Sequence, residues 1–188
     1  MKIYDEIKNY LPFNEQEEND RKLMLKFMEN NDSFLERSNE TAHFTASVWT
    51  LNKERTKTLM VYHKIYDSWS WIGGHADGEE NLRKVAMREL QEETGVSNAT
   101  LISEDVFSLE ILAVQGHFKK GIWIPSHSHL NLTFIAEADE NEKTHIAKEE
   151  NSAVKWWDFE AALSASSESW MVEHIYKKLI DKYKNEGV

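Results

Sequence analysis

The chain contains no cysteine, and this absence excludes several kinds of chemistry. Without cysteine there can be no disulfide bond, no thiolate nucleophile and no zinc site built on cysteine. No stretch approaches the roughly 20 apolar residues that a helix needs to cross a bilayer. The N-terminal segment MKIYDEIKNY has no apolar signal core. We therefore expect a cytoplasmic protein with no membrane partner.

Basic residues are also few. Lys and Arg number 22 against 33 Asp and Glu, which gives a formal net charge of -11 at pH 7. Because phosphate backbones are bound mainly by Lys and Arg, this balance disfavours long nucleic acid as a partner, unless a bound divalent cation reverses the charge locally. The 40% hydrophobic and 11% aromatic content is typical of a globular chain. The 188 residues fit one domain with a terminal extension.

The N-terminal part of the chain predicts a helix. Asn14 and Glu17 have the spacing of a capping box, and apolar residues follow at helical spacing, so we expect a helix from about residue 15 to 30. We interpret residues 1–38 as a helical extension packed on a main domain of residues 39–188.

The main domain shows the patterns of strands flanked by helices. Two strands are predicted by TAHFTASVWTL and TLMVYHK, which a polar turn separates, and further strands by SEDVFSLEILAVQGHF and HLNLTFIAEAD. A short helix after Asp158 and an amphipathic helix over ESWMVEHIYKKLIDKY are expected later in the chain. Mixed strands between helices favour an α/β sandwich.

The segment Gly73–Val96, GGHADGEENLRKVAMRELQEETGV, combines two glycines with an acidic helix. Asp77 with Glu80 three residues later, and Gly95 after the last turn, predict a helix from about residue 79 to 94. The preceding glycines permit a tight turn or a close approach of the backbone to a ligand.

Three carboxylates of this helix, those of Glu89, Glu92 and Glu93, fall within an arc of about 100° on one face. Like charges this close repel each other and need a counter-charge. A solvated charged face is the commoner explanation of an acidic helix. The alternative is a hard divalent cation, because oxygen ligands suit Mg²⁺ or Mn²⁺, which commonly bridge to substrate phosphates.

The positions of the carboxylates alone do not decide between these alternatives, but a resemblance to a known family does. Gly74, Glu80 after five intervening residues, and the run RELQEETGV from Arg88 to Val96 after seven more match every fixed position of G-x5-E-x7-R-E-U-x-E-E-x-G-U, where U is a bulky aliphatic residue. This pattern is the Nudix box, so the chain resembles the Nudix hydrolase family over these 23 residues. Ile72 stands where many members have proline.

The resemblance implies a fold and a reaction. The expected fold is a Nudix-type α/β/α sandwich with a mixed sheet, in addition to the N-terminal helical extension. The expected reaction is hydrolysis of a nucleoside diphosphate linked to another moiety, with Mg²⁺ or Mn²⁺ as cofactor. Cations held on the helix can neutralise the diphosphate and lower the pKa of a bound water, from which a carboxylate removes a proton.

The resemblance also implies ligands for the cation. Glu89 and Glu93 would be the principal metal ligands and catalytic carboxylates. Glu92 would be a further ligand, directly or through water, and the carbonyl oxygen of Gly74 is another candidate.

Other residues of the box would support these ligands. Arg88 would hold the neighbouring Glu89 in place, while Glu80 and Gly95 would support the loop, helix and loop. Family members often add an acidic residue from a loop late in the domain, as a ligand or general base. AKEENSAVKWW lies where such a loop belongs, and we favour Glu150; a solvated loop charge is the equal alternative.

Aromatic and histidine residues outside the box are candidates for substrate contacts. Trp69 and Trp71 could stack on a base, although packing in the core is the commoner role for such a pair. His127 and His129 would share a face of a strand. With no third ligand beside them in the sequence they are expected to be satisfied polar groups, and His129 is a candidate phosphate contact.

Two other functions are compatible with the fold. A nucleotide-sensing Nudix module would bind without cleaving, but such modules typically lose box carboxylates, and all are present here. The other alternative is a Nudix-fold isomerase that acts on isopentenyl diphosphate. Its chemistry resembles a reaction that uses a cysteine, and the chain has none. A small nucleoside diphosphate derivative is the favoured substrate class, because selectivity comes from loops outside the box. A homodimer is possible.

Overall fold

The two longest strands lie side by side and run in the same direction. In the computed structural model, which describes residues 2–119 and 121–186, β1 (Ala42–Asn52) pairs in parallel with β9 (His127–Ala138). Every residue of β1 is buried. The other strands are β2 (Lys57–His63), β3 (Ser68–Ser70), β4 (Ile72–His75), β5 (Thr100–Leu101), β6 (Ser108–Val114), β7 (His117–Lys119), β8 (Ile122–Ile124) and β10 (Asn151–Asp158).

The sheet is mixed. Its main path has the order β10-β2-β1-β9-β5, while β3 pairs with β2, β4 with β1 and β6 with β9. All these pairings except that of β1 with β9 are antiparallel. The β7–β8 hairpin stands apart from the sheet. The pairing of β4 with β1 brings the two glycines of the box to the centre of the sheet.

Helices precede, interrupt and follow the strands. They are α1 (Lys2–Asn9), α2 (Glu15–Met28), α3 (Leu82–Thr94), α4 (Phe159–Ala165), α5 (Ser169–Met171) and α6 (Lys177–Glu186), with a π-helical turn (Val172–Tyr176) between α5 and α6. Among the residues that the structure describes, none of these helices has the length and apolar character needed to span a bilayer.

Residues of β1 alternate between two hydrophobic clusters. Phe44, Ala46 and Val48 belong to the first cluster, together with apolar side chains of α1, α2 and α3. Trp49 and Leu51 belong to the second, with side chains of α4, the π-helical turn and α6. Since successive strand residues point to opposite faces of a sheet, helices cover both faces. The expected α/β/α sandwich with a mixed sheet is confirmed.

The first half of β1 places polar residues on the face opposite Phe44. His43, Thr45 and Ser47 are buried there. The hydroxyl groups of Thr45 and Ser47 both donate to the side-chain oxygen of Asn131 on β9, over 2.9 and 3.0 Å. The face therefore changes along its length from polar to apolar.

The N-terminal helices are packed into the domain. α2 begins as predicted, because the side-chain oxygen of Asn14 accepts a hydrogen bond from the Glu17 amide over 2.9 Å. The Glu17 carboxylate is buried, accepts from the Ser108 hydroxyl over 2.8 Å and lies 3.3 Å from the Lys178 ammonium. α1 had not been predicted, and the division of the chain after residue 38 stays a prediction.

The predicted start of α3 is wrong by three residues. Asp77 does not cap the helix; it has a left-handed backbone with φ of 47° and pairs with Arg37. Asn81 is the cap, since its side-chain oxygen accepts from the Lys84 amide over 3.4 Å. The end of the helix agrees with the prediction, because Gly95 has φ of 79° and its amide donates to a carbonyl of the last turn.

Candidate active site

Glu93 is a buried carboxylate at the end of α3 that faces the glycines of β4. One oxygen accepts from the Gly73 amide over 3.2 Å and the other from the Asn151 side chain over 2.7 Å. Burial raises the pKa of Glu93 to about 7, because it penalises the charged form more than these hydrogen bonds favour it. The charges of Glu89 and Glu150 raise this pKa further.

Glu89 lies one helical turn earlier, with its carboxyl group against Gly74. A β-carbon at Gly74 would collide with that carboxyl group, so a larger residue there would displace Glu89 from its present position. The Arg88 guanidinium donates to Glu89 over 2.9 Å. Burial raises the pKa of Glu89 and Arg88 lowers it, while the charges of Glu92 and Glu150 raise it, so that the net pKa lies above its ordinary value.

Glu92 and Glu150 are more exposed members of the same group of charges. The Glu92 side chain is 62% exposed and lies 3.9 Å from Arg88. Glu150 is about half exposed and lies 3.7 Å from the Lys119 ammonium. Because Glu150 raises the pKa of both Glu89 and Glu93, the structure brings this loop residue beside the helix.

These carboxylates have the chemistry of a site for a hard divalent cation. Glu93 is buried and Glu89 partly buried, both lie close to further negative charge, and burial makes both harder to ionise without a counter-charge. Their oxygen atoms are the ligands that Mg²⁺ and Mn²⁺ prefer. In the described part of the chain, however, the three potential ligands that converge within 4.8 Å of one another are histidines, not these carboxylates.

The two residues expected to support the box differ in their surroundings. Gly95 ends α3, as described above. Glu80 is exposed and precedes the helix. The neighbouring Glu79 makes the local contacts instead, since its carboxylate accepts from the Asn81 amide over 3.0 Å and from Lys84 over 2.7 Å.

Trp69 and Trp71 lie apart from the carboxylates. Trp69 packs edge-on against Trp157, with ring centroids 5.2 Å apart, and Trp71 packs edge-on against Tyr176 at 6.0 Å. Both belong to the cluster that contains the C-terminal helices, whereas α3 packs against the other cluster. These contacts are those of core packing, and a role in substrate binding stays a prediction.

His129 has more neighbours than the sequence indicates. Its Nε2 atom lies 3.1 Å from Nε2 of His127, as their shared face predicts. His43 and His75 also lie beside His129, so the structure adds two potential ligands that were not in view in the sequence. The proximity of these histidines depends on the register of β1 against β9, which places His43 opposite His129 and is not visible in the sequence.

Two other residues of the site were missed. Asn151 is buried and holds Glu93 in place, and Lys119, on the β7–β8 hairpin, pairs with Glu150. Neither residue belongs to a motif. The sequence does not show how the loop before Asn151 and the hairpin of Lys119 fold towards the site.

Comparison with known proteins identifies the family. The model of the NUDIX domain matches residues 41–181, and the chain belongs to this family. It is 52% identical over 40 residues to Nudix hydrolase 27, chloroplastic, of Arabidopsis thaliana; the match covers 21% of this chain and only 18% of that protein. Membership and this likeness support the expectation of an enzyme that acts on pyrophosphate bonds.

Solved structures share the fold at low sequence identity. A Caenorhabditis elegans Ap4A hydrolase in a binary complex has 20% identity and a TM-score of 0.55, over 76% of this chain and 96% of that one. The MutT protein of Methanosarcina mazei Go1 has 14% identity and a TM-score of 0.59, over 78% and 98%. The dihydroneopterin triphosphate pyrophosphohydrolase of E. coli has 19% identity and a TM-score of 0.55, over 73% and 95%.

Proposed function

We propose that the protein is a metal-dependent pyrophosphohydrolase. It cleaves the diphosphate of a nucleoside diphosphate linked to another moiety, by attack of water at phosphorus. The substrate is a small-molecule nucleotide derivative, the class to which Ap4A, the molecule in the name of the C. elegans hydrolase, belongs.

The observation that carries this proposal is the environment of Glu89 and Glu93. Both carboxylates are held against the backbone of the two glycines, one by steric fit at Gly74 and one by the Gly73 amide. Burial raises the pKa of both. Carboxylates whose pKa is raised by desolvation are typical of functional sites, so the arrangement of these two supports a role in binding a cation and a substrate.

Glu89 and Glu93 would hold Mg²⁺ or Mn²⁺, with Glu92 and the carbonyl oxygen of Gly74 as further ligands. The bound cation would neutralise diphosphate oxygens and acidify a water molecule. Arg88 holds the Glu89 carboxylate through its hydrogen bond. Asn151 orients Glu93 in the same way.

Glu150 is our candidate for the general base. Its side chain is about half exposed and lies close enough to Glu89 and Glu93 to raise the pKa of each. A partly solvated carboxylate there can accept a proton from the attacking water and pass it to solvent. The ion pair with Lys119 links the Glu150 side chain to the β7–β8 hairpin.

Hydrolysis of a substrate panel tests the proposal. ADP-ribose, a dinucleoside tetraphosphate and a nucleoside triphosphate are incubated with the protein and Mg²⁺ or Mn²⁺, and released nucleotide and phosphate are measured. We expect cleavage by the natural sequence and a loss of at least about 100-fold in kcat for Glu93→Gln, because a charge at the reacting centre is removed. The exposed Glu104→Gln serves as the matched control.

The outcomes separate the candidate functions. Cleavage that collapses in Glu93→Gln but persists in Glu104→Gln supports the hydrolase. Nucleotide binding without cleavage of any substrate would instead indicate the sensing module. If Glu150→Gln retained full turnover, the role of general base would pass to another group.

A further inference from the structure

Three histidines from distant parts of the chain meet on the polar face of the sheet. His43 on β1 lies opposite His129 on β9, and His75 on β4 lies opposite Thr45, two residues further along β1. Strand alternation places all three side chains on the face opposite Phe44. Their ring centroids lie 4.9 to 5.2 Å apart.

The potential ligand atoms of these histidines are close to the spacing that one metal ion requires. One ring nitrogen from each lies within 4.8 Å of the others. Two imidazole ligands of a tetrahedral zinc ion, at about 2.0 to 2.1 Å from the metal, are about 3.3 Å apart. Small rotations of the rings would therefore bring the three atoms to a common ion.

The hydrogen bonding of His43 leaves one nitrogen for a ligand. Its Nδ1 atom lies 3.0 Å from the carbonyl oxygen of Asn39, which can only accept, so Nδ1 carries the proton. The Nε2 atom then has a free lone pair. Among the described residues this atom has no hydrogen-bond partner, although His43 is only 4% exposed, and a buried polar atom of this kind calls for an explanation.

A fourth histidine, His127, lies beside the cluster. Its Nε2 atom lies 3.1 Å from the Nε2 atom of His129. This contact does not extend to the Nε2 atom of His43.

We propose that His43, His75 and His129 form a binding site for a transition metal ion of the zinc class. The site is separate from the carboxylates of α3. Gly74 presents its α-carbon to Glu89 on the face of the first cluster, whereas the next residue, His75, points to the other face. Imidazole ligands favour Zn²⁺, Co²⁺, Ni²⁺ or Cu²⁺, whereas oxygen ligands favour Mg²⁺.

The number of protein ligands indicates what role such an ion would have. Three protein ligands leave one position of a tetrahedral ion for water or for an atom of a bound molecule, which is the pattern of zinc sites that take part in binding or catalysis. His75 also belongs to the box, in which it directly follows Gly74. An ion at this position would present its open coordination site on the polar face, beside Thr45 and Asn131.

Co²⁺ binding followed by visible absorption tests the proposal. The purified chain is freed of metals with a chelator and titrated with Co²⁺ in excess Mg²⁺, which occupies oxygen ligands but competes poorly for imidazole. We expect one equivalent of Co²⁺ to produce the intense visible bands of tetrahedral coordination, and one equivalent of Zn²⁺ to abolish them. The variants His75→Gln and His129→Gln should bind at least about 100-fold more weakly.

His174→Gln is the matched control, since His174 is an exposed histidine that stacks on Trp170 far along the chain. It should bind Co²⁺ like the natural sequence. Thermal unfolding of each variant without metal shows whether it is folded, and added Zn²⁺ should raise the Tm of the natural sequence but not that of His75→Gln. Absence of stoichiometric binding, or unchanged binding by the folded His75→Gln and His129→Gln variants, would overturn the proposal.

Discussion

At the scale of single residues, the two glycines of the box have different neighbours. A side chain at Gly74 would meet the flexible carboxyl group of Glu89, whereas a side chain at Gly73 would meet the backbone of Ala46 and Ser47. The first glycine therefore makes room for a functional group, and the second allows two strands to pair. Two adjacent glycines therefore differ in role, since Gly74 supports function and Gly73 supports folding.

Replacing each glycine by alanine should separate these effects. We expect Gly74→Ala to lower kcat by at least about 10-fold with little change in Tm, because it displaces Glu89. Gly73→Ala should lower the free energy of unfolding by about 1 to 3 kcal/mol, because the strand backbones must move apart. Steady-state kinetics and thermal unfolding measure both, and equal losses of stability in the two variants would contradict this distinction.

The pKa of Glu93 predicts a dependence of stability on pH when no divalent cation is bound. The folded state raises this pKa from 4.5 to about 7, so it binds the proton more tightly than the unfolded state does. The free energy of unfolding should therefore fall as the pH rises from about 5 to about 8, by on the order of 3 kcal/mol at most from this group. Urea denaturation with a chelator present measures the change.

Glu93→Gln should remove that part of the pH dependence, since glutamine does not titrate. Glu92→Gln, at an exposed position of the same helix, should retain it. A difference between the natural sequence and Glu93→Gln that does not vary with pH would show that Glu93 ionises normally in the folded protein.

At this scale the sequence indicates which residues form the candidate site, but not which other side chains contact them. The fixed spacing of the box names Glu89, Glu93 and Gly74 correctly as neighbours. It cannot show that Asn151 holds Glu93, because that contact joins positions 58 residues apart. His43 and His75 were missed for the same reason.

At the scale of elements, α3 shows how local signals compete. Asp77 with Glu80 has the spacing of a capping box, yet the turn before the helix uses Asp77 in a left-handed conformation, held by Arg37. Asn81 takes the cap four residues later. Both residue types are favoured caps, so the sequence pattern alone does not choose between them.

Substitution of the two residues should show which one caps the helix. We expect Asn81→Ala to lower the free energy of unfolding by about 1 kcal/mol, because the Lys84 amide loses its acceptor. Asp77→Asn keeps a residue that tolerates a positive φ and loses only an exposed ion pair, which contributes at most about 1 kcal/mol and often much less. Thermal denaturation of both variants tests this order, and a larger loss for Asp77→Asn would reverse it.

At the scale of the whole molecule, a buried ionic network joins the N-terminal helices to the rest of the fold. The Glu17 carboxylate lies between the ammonium groups of Lys178 and Lys182, at 3.3 and 3.5 Å. Burial raises the pKa of Glu17, but the two lysines lower it more, to a net value below the ordinary one. Lys178 also lies 3.0 Å from the buried Glu110 on β6.

Breaking this network should destabilise the whole fold. We expect Glu17→Gln to lower the free energy of unfolding by about 3 to 5 kcal/mol, because it leaves two buried ammonium groups with fewer counter-charges. Glu18→Gln removes a partly exposed partner of Arg21 and Lys22 and should have a much smaller effect. Urea denaturation compares them, and an equally small effect of Glu17→Gln would show that the buried network contributes little to stability.

The overall architecture was predictable to the extent that it depends on local periodicity and on the box. The strands of β1, β2, β6 and β9 and the helix α2 follow from their patterns. The packing of α2 onto β6 through Glu17 and Ser108 does not, since charged residues give no sign of where they will be buried. The π-helical turn between α5 and α6 also interrupts a segment that the sequence predicts as one helix.

The parallel pairing of β1 with β9 has a kinetic consequence. Partner residues such as Thr45 and Asn131 are 86 positions apart, so the pairing must close a long loop, at a cost in chain entropy that local contacts do not carry. The box helix can form early, but the histidines of β1 and β9 meet only when this loop is closed. Capture of a metal ion by the histidines would then mark the last stage of refolding, later than the appearance of helical signal.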